Sequence, residues 1–312
     1  MGYVFALVGA LLFGANGTVT KVIVSGGLTP LQLTQFRVLG ACIITGLVLL
    51  VVDRSAFRMT PRQLVTLAIL GVTGVAVLQA AYAAALALLP VGIALLFEYT
   101  GVLIVALVAF FFFKEKVSPR LWIAIALVLG GLAIVSQIWA SELNPLGILF
   151  ALLAAGSLAT YFLLGERQVG TISPLGVAFW SMLFASVFWA FFSGWWELSP
   201  ATFTTPVSLG GNLAAIVLPL WAPLLWNIVM GTFLAFLLSL LALTRLSATA
   251  TGIVASSEII FAFLVAWLWL GEGLDALQLV GAAVVLAGII LAQTARANKV
   301  VDADLALAPV DR

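Results

Sequence analysis

The sequence predicts an all-α polytopic membrane protein with ten transmembrane helices arranged as two inverted five-helix repeats. Three observations predict it: 64% apolar residues beside 8% charged ones over 312 residues, a one-sided distribution of lysine and arginine, and an internal repeat whose copies differ in loop charge. Soluble domains carry roughly 45 to 50% apolar and about 25% charged residues, so this chain is composed for lipid. At about 20 residues per crossing, ten helices need roughly 200 residues. The remainder suffices for loops and tails and leaves no room for a separate soluble domain.

Hydropathy and breakers place helices at 3–24, 31–52, 62–88, 91–113 and 120–140, then at 146–165, 174–194, 218–244, 249–270 and 275–295. Thr29-Pro30, Pro61, Pro90, Ser118-Pro119, Asn144-Pro145 and Ser173-Pro174 open or precede these helices, where proline's missing N–H is harmless. The first segment has the length of a signal peptide but lacks a charged start and a small-residue cleavage site, and is read as the first helix. The stretch 195–219, with Pro200, Pro206 and Gly210-Gly211, reads as a long loop with an interfacial segment. Trp221, Trp267 and Trp269 lie near helix ends, where indole rings anchor at the membrane interface. The tail 296–312 reads as a disordered cytoplasmic end.

Of the thirteen lysines and arginines, all but Lys21 and Arg37 fall on one side of this layout, from Arg54, Arg58 and Arg62 to Arg296, Lys299 and Arg312. The opposite loops hold Glu142, Glu197, Glu272 and Asp275. The positive-inside rule places both termini in the cytoplasm, which requires an even number of crossings.

The chain also resembles itself. PVGIALLFE at 90–98 lies over ATGIVASSE at 250–258, matching Gly92 to Gly252, Ile93 to Ile253 and Glu98 to Glu258. The first copy then reaches Glu115 in KEK and the second Glu272 in GEG, Gly131 aligns with Gly288, and Thr29-Pro30-Leu31 with Ser173-Pro174-Leu175. A five-helix unit crosses an odd number of times, so its second copy enters the membrane upside down. The loss of both KEK lysines in GEG agrees with this. The halves are 1–140 and 141–295. Inverted repeats are the architecture of alternating-access transporters, with the substrate bound near the midplane where the copies meet; structural duplication without transport is the alternative.

The ten helices in two halves carry a resemblance. So do the glutamate ahead of an apolar run ending in a charged turn, Glu98 to Lys114-Glu115 and Glu258 to Gly271-Glu272-Gly273, and the glycine-bearing closing helices. Over 3–295 the chain resembles the EamA-type branch of the drug/metabolite transporter superfamily, and within it the YddG-like amino-acid exporters. The resemblance implies a multi-pass protein of a prokaryotic inner membrane that exports aromatic and other neutral amino acids or similar small metabolites. The family's proline after the glutamate is replaced by Tyr99 and Ile259.

Ionisable groups inside a membrane cost about 2.5–3.5 kcal/mol on insertion scales, so each needs a reason. Glu98 and Glu258 read either as a proton or substrate-amine site or as hydrogen-bonded struts between the halves. Arg37, about 9 Å below its helix end at 1.5 Å per residue, can snorkel, pair with a glutamate or hold a substrate carboxylate. Lys21 reads as snorkelling. For the substrate cavity the candidates are Asn16, Gln79, Tyr82, Tyr99 and Trp180, since aromatic faces with sparse polar tips suit a zwitterion with an apolar side chain. Tyr161, Trp226 and Asn227 add polar tips at membrane depth.

Composition narrows the chemistry. No histidine is present, which excludes the imidazole of Ser/His hydrolases, zinc proteases and haem oxidases. Cys42 is the sole cysteine and reads as a small core residue. There is no GxxxxGK[ST] run for a nucleotide, and a net charge of +1 gives no argument for nucleic acid. No cofactor or metal is implied, the partners are a small-molecule substrate and the lipid bilayer, and nothing specifies an oligomeric state. One rival is a phosphorylated-metabolite or nucleotide-sugar exchanger on the same fold, which would favour several intramembrane cations. Others are a membrane-embedded enzyme or lipid-modifying scaffold, for which no reactive motif exists, and a channel, for which no filter or charged ring exists.

Overall fold

The computed structural model describes residues 1–111, 119–135, 143–169, 172–243 and 254–295. Lys114, Glu115, Lys116, Ser118, Glu142, Arg245, Gly252, Ile253 and the tail from Arg296 lie outside the described residues. Helices α1 (Gly2–Ser25) and α2 (Pro30–Val52) come first. A continuous rod follows, made of α3 (Pro61–Ile69), a π-helical stretch Leu70–Ala76 and α4 (Val77–Leu86). Then come α5 (Val91–Glu98), α6 (Gly101–Phe111), α7 (Arg120–Val135), α8 (Pro145–Val169) and α9 (Pro174–Phe192). A second rod joins α10 (Trp221–Ile228), a π-helical stretch Val229–Leu234 and α11 (Ala235–Leu243). Helices α12 (Ser257–Leu270) and α13 (Ala276–Ala295) complete the described chain.

Six of these runs are long and apolar enough to cross a membrane: Gly2–Ser25, Pro30–Val52, Pro61–Leu86, Pro145–Gly165, Pro174–Phe192 and Trp221–Ser239. Shorter apolar helices accompany them, and the protein is an all-α, multi-pass membrane protein.

Helix starts follow their sequence signals. Thr29 and Thr60 accept from the backbone of Gln32 and Gln63, whose side chains reach back to the threonine N–H groups, each pair followed by proline at the first helical position. Asp275 and Gln278 bond reciprocally at the start of α13. These contacts satisfy N–H groups that the first helical turn cannot.

Glycines set how closely the helices approach, as expected where packing rather than hydrophobicity joins helices in lipid. On α1, a Cβ at Gly14 would stand 2.8 Å from Ala262 N and 2.9 Å from Glu258 O, and one at Gly17 would stand 2.7 Å from Tyr82 Oη. Helices α7 and α13 meet through Gly131, Gly281 and Gly288, each within 3.0 Å of a backbone oxygen of the other helix by the same measure.

Two differences from the sequence expectation concern helix continuity. The segment expected as one helix over 91–113 is interrupted at Tyr99-Thr100, where Thr100 Oγ1 donates to Phe97 O at 2.7 Å. No proline stands at the break, and just beyond it Gly101 lies so close to α8 that a Cβ would be 2.6 Å from Ala155 O. The segment expected over 249–270 is likewise broken by a turn at Ser256, two residues before Glu258.

The stretch expected as a loop with an interfacial segment forms three 3-10 turns, Trp195–Glu197, Pro200–Thr204 and Gly211–Leu213, and an antiparallel hairpin of β1 (Pro206–Ser208) and β2 (Val217–Pro219). Val207 and Leu209 fill a core with Ile23, Leu28, Leu33 and Leu220. Trp269 Nε1 donates to Leu209 O at 2.8 Å and Asn212 Nδ2 to Leu268 O at 3.0 Å, so Trp269 fastens the hairpin to α12. Trp221 and Trp267 remain exposed, as interfacial anchors are.

Candidate functional site

Several buried polar residues gather on two faces of α1. On one face, Asn227 Nδ2 donates to Asn16 Oδ1 at 2.8 Å and to Thr20 Oγ1 at 3.0 Å. Thr232 Oγ1 donates to Asn227 O at 2.9 Å, and Arg37 Nε donates to Thr232 Oγ1 at 2.7 Å. The chain of bonds thus runs from α1 through the π-helical stretch to α2. In an apolar medium such groups are stable only when paired. The π turn places the Thr232 hydroxyl within reach of the carbonyl five residues back.

Beyond Gly17, α1 faces Tyr82, and α5 and α12 bring the two glutamates in. Tyr99 Oη donates to Glu258 Oε2 at 2.7 Å. Glu98 is buried, and its Oε2 has no hydrogen-bond partner among the described residues. The same holds for Oε1 of buried Gln79, one turn before Tyr82 on the same face. Arg37, Tyr82, Glu98 and Glu258 all interact electrostatically, which places them in one region. Arg37 does not snorkel: it is 8% exposed, and its hydrogen bond goes to Thr232.

One of the sequence-predicted residues stands apart from this region, and another reaches it only through intermediaries. Trp180 Nε1 donates to Ala56 O at 2.9 Å, in the turn after α2, and its ring packs with Leu67, Leu70 and Phe184 at the far end of the 61–86 rod. Asn16 belongs to the hydrogen-bonded chain with its side-chain oxygen already engaged.

The sequence reading missed a pair at the hairpin end of α1. Lys21 Nζ forms an ion pair with Glu272 and donates to Leu89 O at 3.1 Å, while Glu272 Oε2 accepts from Val91 N at 2.8 Å. Lys21 therefore ties together α1, the end of α12 and the start of α5, instead of snorkelling. Above the pair lies an open pocket of about 280 Å³ lined by Ser25, Ser208, Gly210 and Leu270. Thr20 and Thr232 were also missed; the four-residue spacing from Asn16 to Thr20, one helical turn, was the available signal.

Two glutamates, a guanidinium and tyrosines thus lie within bundled apolar helices. The EamA-like transporter family matches residues 1–137 and 145–294, and the chain belongs to that family. It is 28% identical over 203 residues to the threonine/homoserine exporter RhtA of Salmonella typhimurium (strain SL1344) and to that of Escherichia coli (strain K12), covering 64% of this chain. The chain spans 61% of the length of these curated relatives. One solved crystal structure is similar in fold, with a TM-score of 0.62 at 16% identity, covering 95% of this chain and 98% of the other.

Proposed function

We propose that this protein exports neutral amino acids from the cytoplasm across a prokaryotic inner membrane by alternating access, and acts as a transporter rather than an enzyme. The observation that carries this reading is the gathering of Arg37, Tyr82, Glu98 and Glu258 in one buried region, with Tyr99 bonded to Glu258. Buried ionisable groups at such depth mark a substrate or ion path, and a region that holds both a guanidinium and carboxyl groups suits a zwitterion. The threonine/homoserine activity of the relatives supports the same substrate class, and the aromatic amino acids are its other first candidates.

The reading includes ten crossings in two inverted halves, 1–140 and 141–295, with both termini cytoplasmic. Several features support it. The family matches two successive stretches. Helix neighbours follow a twofold pattern: α2 packs on α9 and α7 on α13, while α1 on α12 and α11 answers α8 on α5 and α4. The π-helical stretches 70–76 and 229–234 fall in corresponding rods, and the interruptions at Tyr99-Thr100 and Ser256 flank the two glutamates. Broken helices are where transporters of this architecture expose polar backbone to substrate.

With the hairpin end outside, Lys21, Glu272 and the hairpin close the external side. A phosphorylated substrate is disfavoured, because Lys21 is paired with Glu272 and Arg37 is the one buried cation among the described residues. The test is efflux from cells: a bacterium producing the protein should lose preloaded labelled threonine or phenylalanine several-fold faster than one lacking it, and equal rates contradict the reading.

A further inference from the structure

We propose that Glu98 and Gln79 bind the ammonium group of the transported amino acid and that Arg37 takes its carboxylate, an assignment that rests on the export reading above. Glu98 and Gln79 are 8% and 7% exposed, and Glu98 Oε2 and Gln79 Oε1 both lack a hydrogen-bond partner among the described residues. Native interiors leave few polar atoms bare. Both atoms are acceptors and so lack the same thing, a donor. An alkylammonium group brings three N–H donors and a positive charge.

The glutamates are not equivalent. Glu258 is already served by the Tyr99 hydroxyl at 2.7 Å, whereas Glu98 is unserved. Arg37 is held at one corner, Nε on Thr232, and the described residues give its other guanidinium nitrogens no acceptor. A carboxylate is the group that a guanidinium fork binds in bidentate fashion. The chain of bonds from Asn16 and Thr20 through Asn227 and Thr232 to Arg37 positions that fork, which gives Asn16 a supporting role outside the substrate's contact.

The test is equilibrium binding of labelled L-threonine to the purified full chain in detergent, competed by two analogues. Threonine amide lacks the carboxylate charge, and 2,3-dihydroxybutyrate carries a hydroxyl in place of the ammonium. Each should compete about tenfold or more worse than threonine itself. Glu98→Gln should reduce the preference for the ammonium about tenfold and keep the preference for the carboxylate. Gln79→Leu, which alters no charge, should weaken the ammonium preference several-fold and serves as the second variant if Glu98→Gln fails to insert. Arg37→Lys should lower the carboxylate preference alone. An unchanged ammonium preference in either inserted variant, Glu98→Gln or Gln79→Leu, would overturn the assignment while leaving export intact, as expected if a proton occupies Glu98. Equal losses in Glu98→Gln and Glu258→Gln would also overturn it. Failure of the unaltered protein to bind any neutral amino acid would sink both this assignment and the export reading.

Discussion

The Tyr99 hydroxyl donates to Glu258 Oε2 across 2.7 Å, joining the broken end of α5 to the first turn of α12. A hydrogen bond to a charged group contributes about 1.5–3 kcal/mol. Tyr99→Phe removes the hydroxyl and keeps the ring, so it should destabilise the protein by an amount of that order. Thermal unfolding in detergent measures this. A Tyr99→Phe protein as stable as its parent would show that the contact contributes nothing.

The Lys21–Glu272 pair closes the hairpin end, with Glu272 also accepting from Val91 N. Glu272→Gln keeps that second bond and removes the charge. In a Cys42→Ser background, a cysteine placed at Ser25 should react several-fold faster with a polar thiol reagent when Glu272→Gln is present. The swapped pair, Lys21→Glu with Glu272→Lys, should slow the reaction again. Identical rates in all three would mean that the ion pair does not hold this end shut.

The glycine contacts rank three substitutions. Gly14→Ala would place a Cβ 2.8 and 2.9 Å from backbone atoms of α12, and Gly17→Ala would place one 2.7 Å from Tyr82 Oη and from Val91 Cγ1; at Gly130 nothing lies within 4 Å. Backbone yields less readily than a side chain, and overpacking costs about 1–3 kcal/mol. Gly14→Ala should therefore destabilise most, Gly17→Ala less, and Gly130→Ala hardly at all. Melting temperatures of the three variants check the order, and a Gly130→Ala defect as large as that of Gly14→Ala would contradict the packing.

Orientation is testable by labelling. In the same Cys42→Ser background, a cysteine at Arg58 should react with an impermeant reagent only after the cytoplasmic face is opened, and one at Glu197 should react in intact cells. The reverse pattern would invert the topology and remove the charge argument for inverted halves.

Much of the fold was legible in the sequence because helix starts carry local signals. Thr29-Pro30 with Gln32, Thr60-Pro61 with Gln63, and Ser173-Pro174 each satisfy end-of-helix donors within a few residues, so no tertiary information is needed. The breaks at Tyr99-Thr100 and Ser256 were not legible. No proline marks either, and beside the first Gly101 meets Ala155, a contact between segments far apart in the chain. The hairpin at 206–219 escaped for the same reason: Val207 and Leu209 are buried by residues of α1 and α2. In the site, the glutamates and Arg37 were found because charges inside apolar helices announce themselves. Lys21–Glu272 was not found, since its partners are 251 residues apart and each alone reads as an ordinary charge near a helix end. Trp180 drew attention as an amphipathic aromatic at membrane depth, but its N–H is used on Ala56 O.

Counterflow in proteoliposomes tests the central claim most directly. Purified protein is reconstituted into vesicles preloaded with unlabelled threonine, homoserine or phenylalanine, and uptake of the labelled counterpart is followed without nucleotide. The account predicts accumulation of at least one neutral amino acid well above that in protein-free vesicles. No movement of any neutral amino acid, with exchange of a phosphorylated metabolite instead, would contradict it.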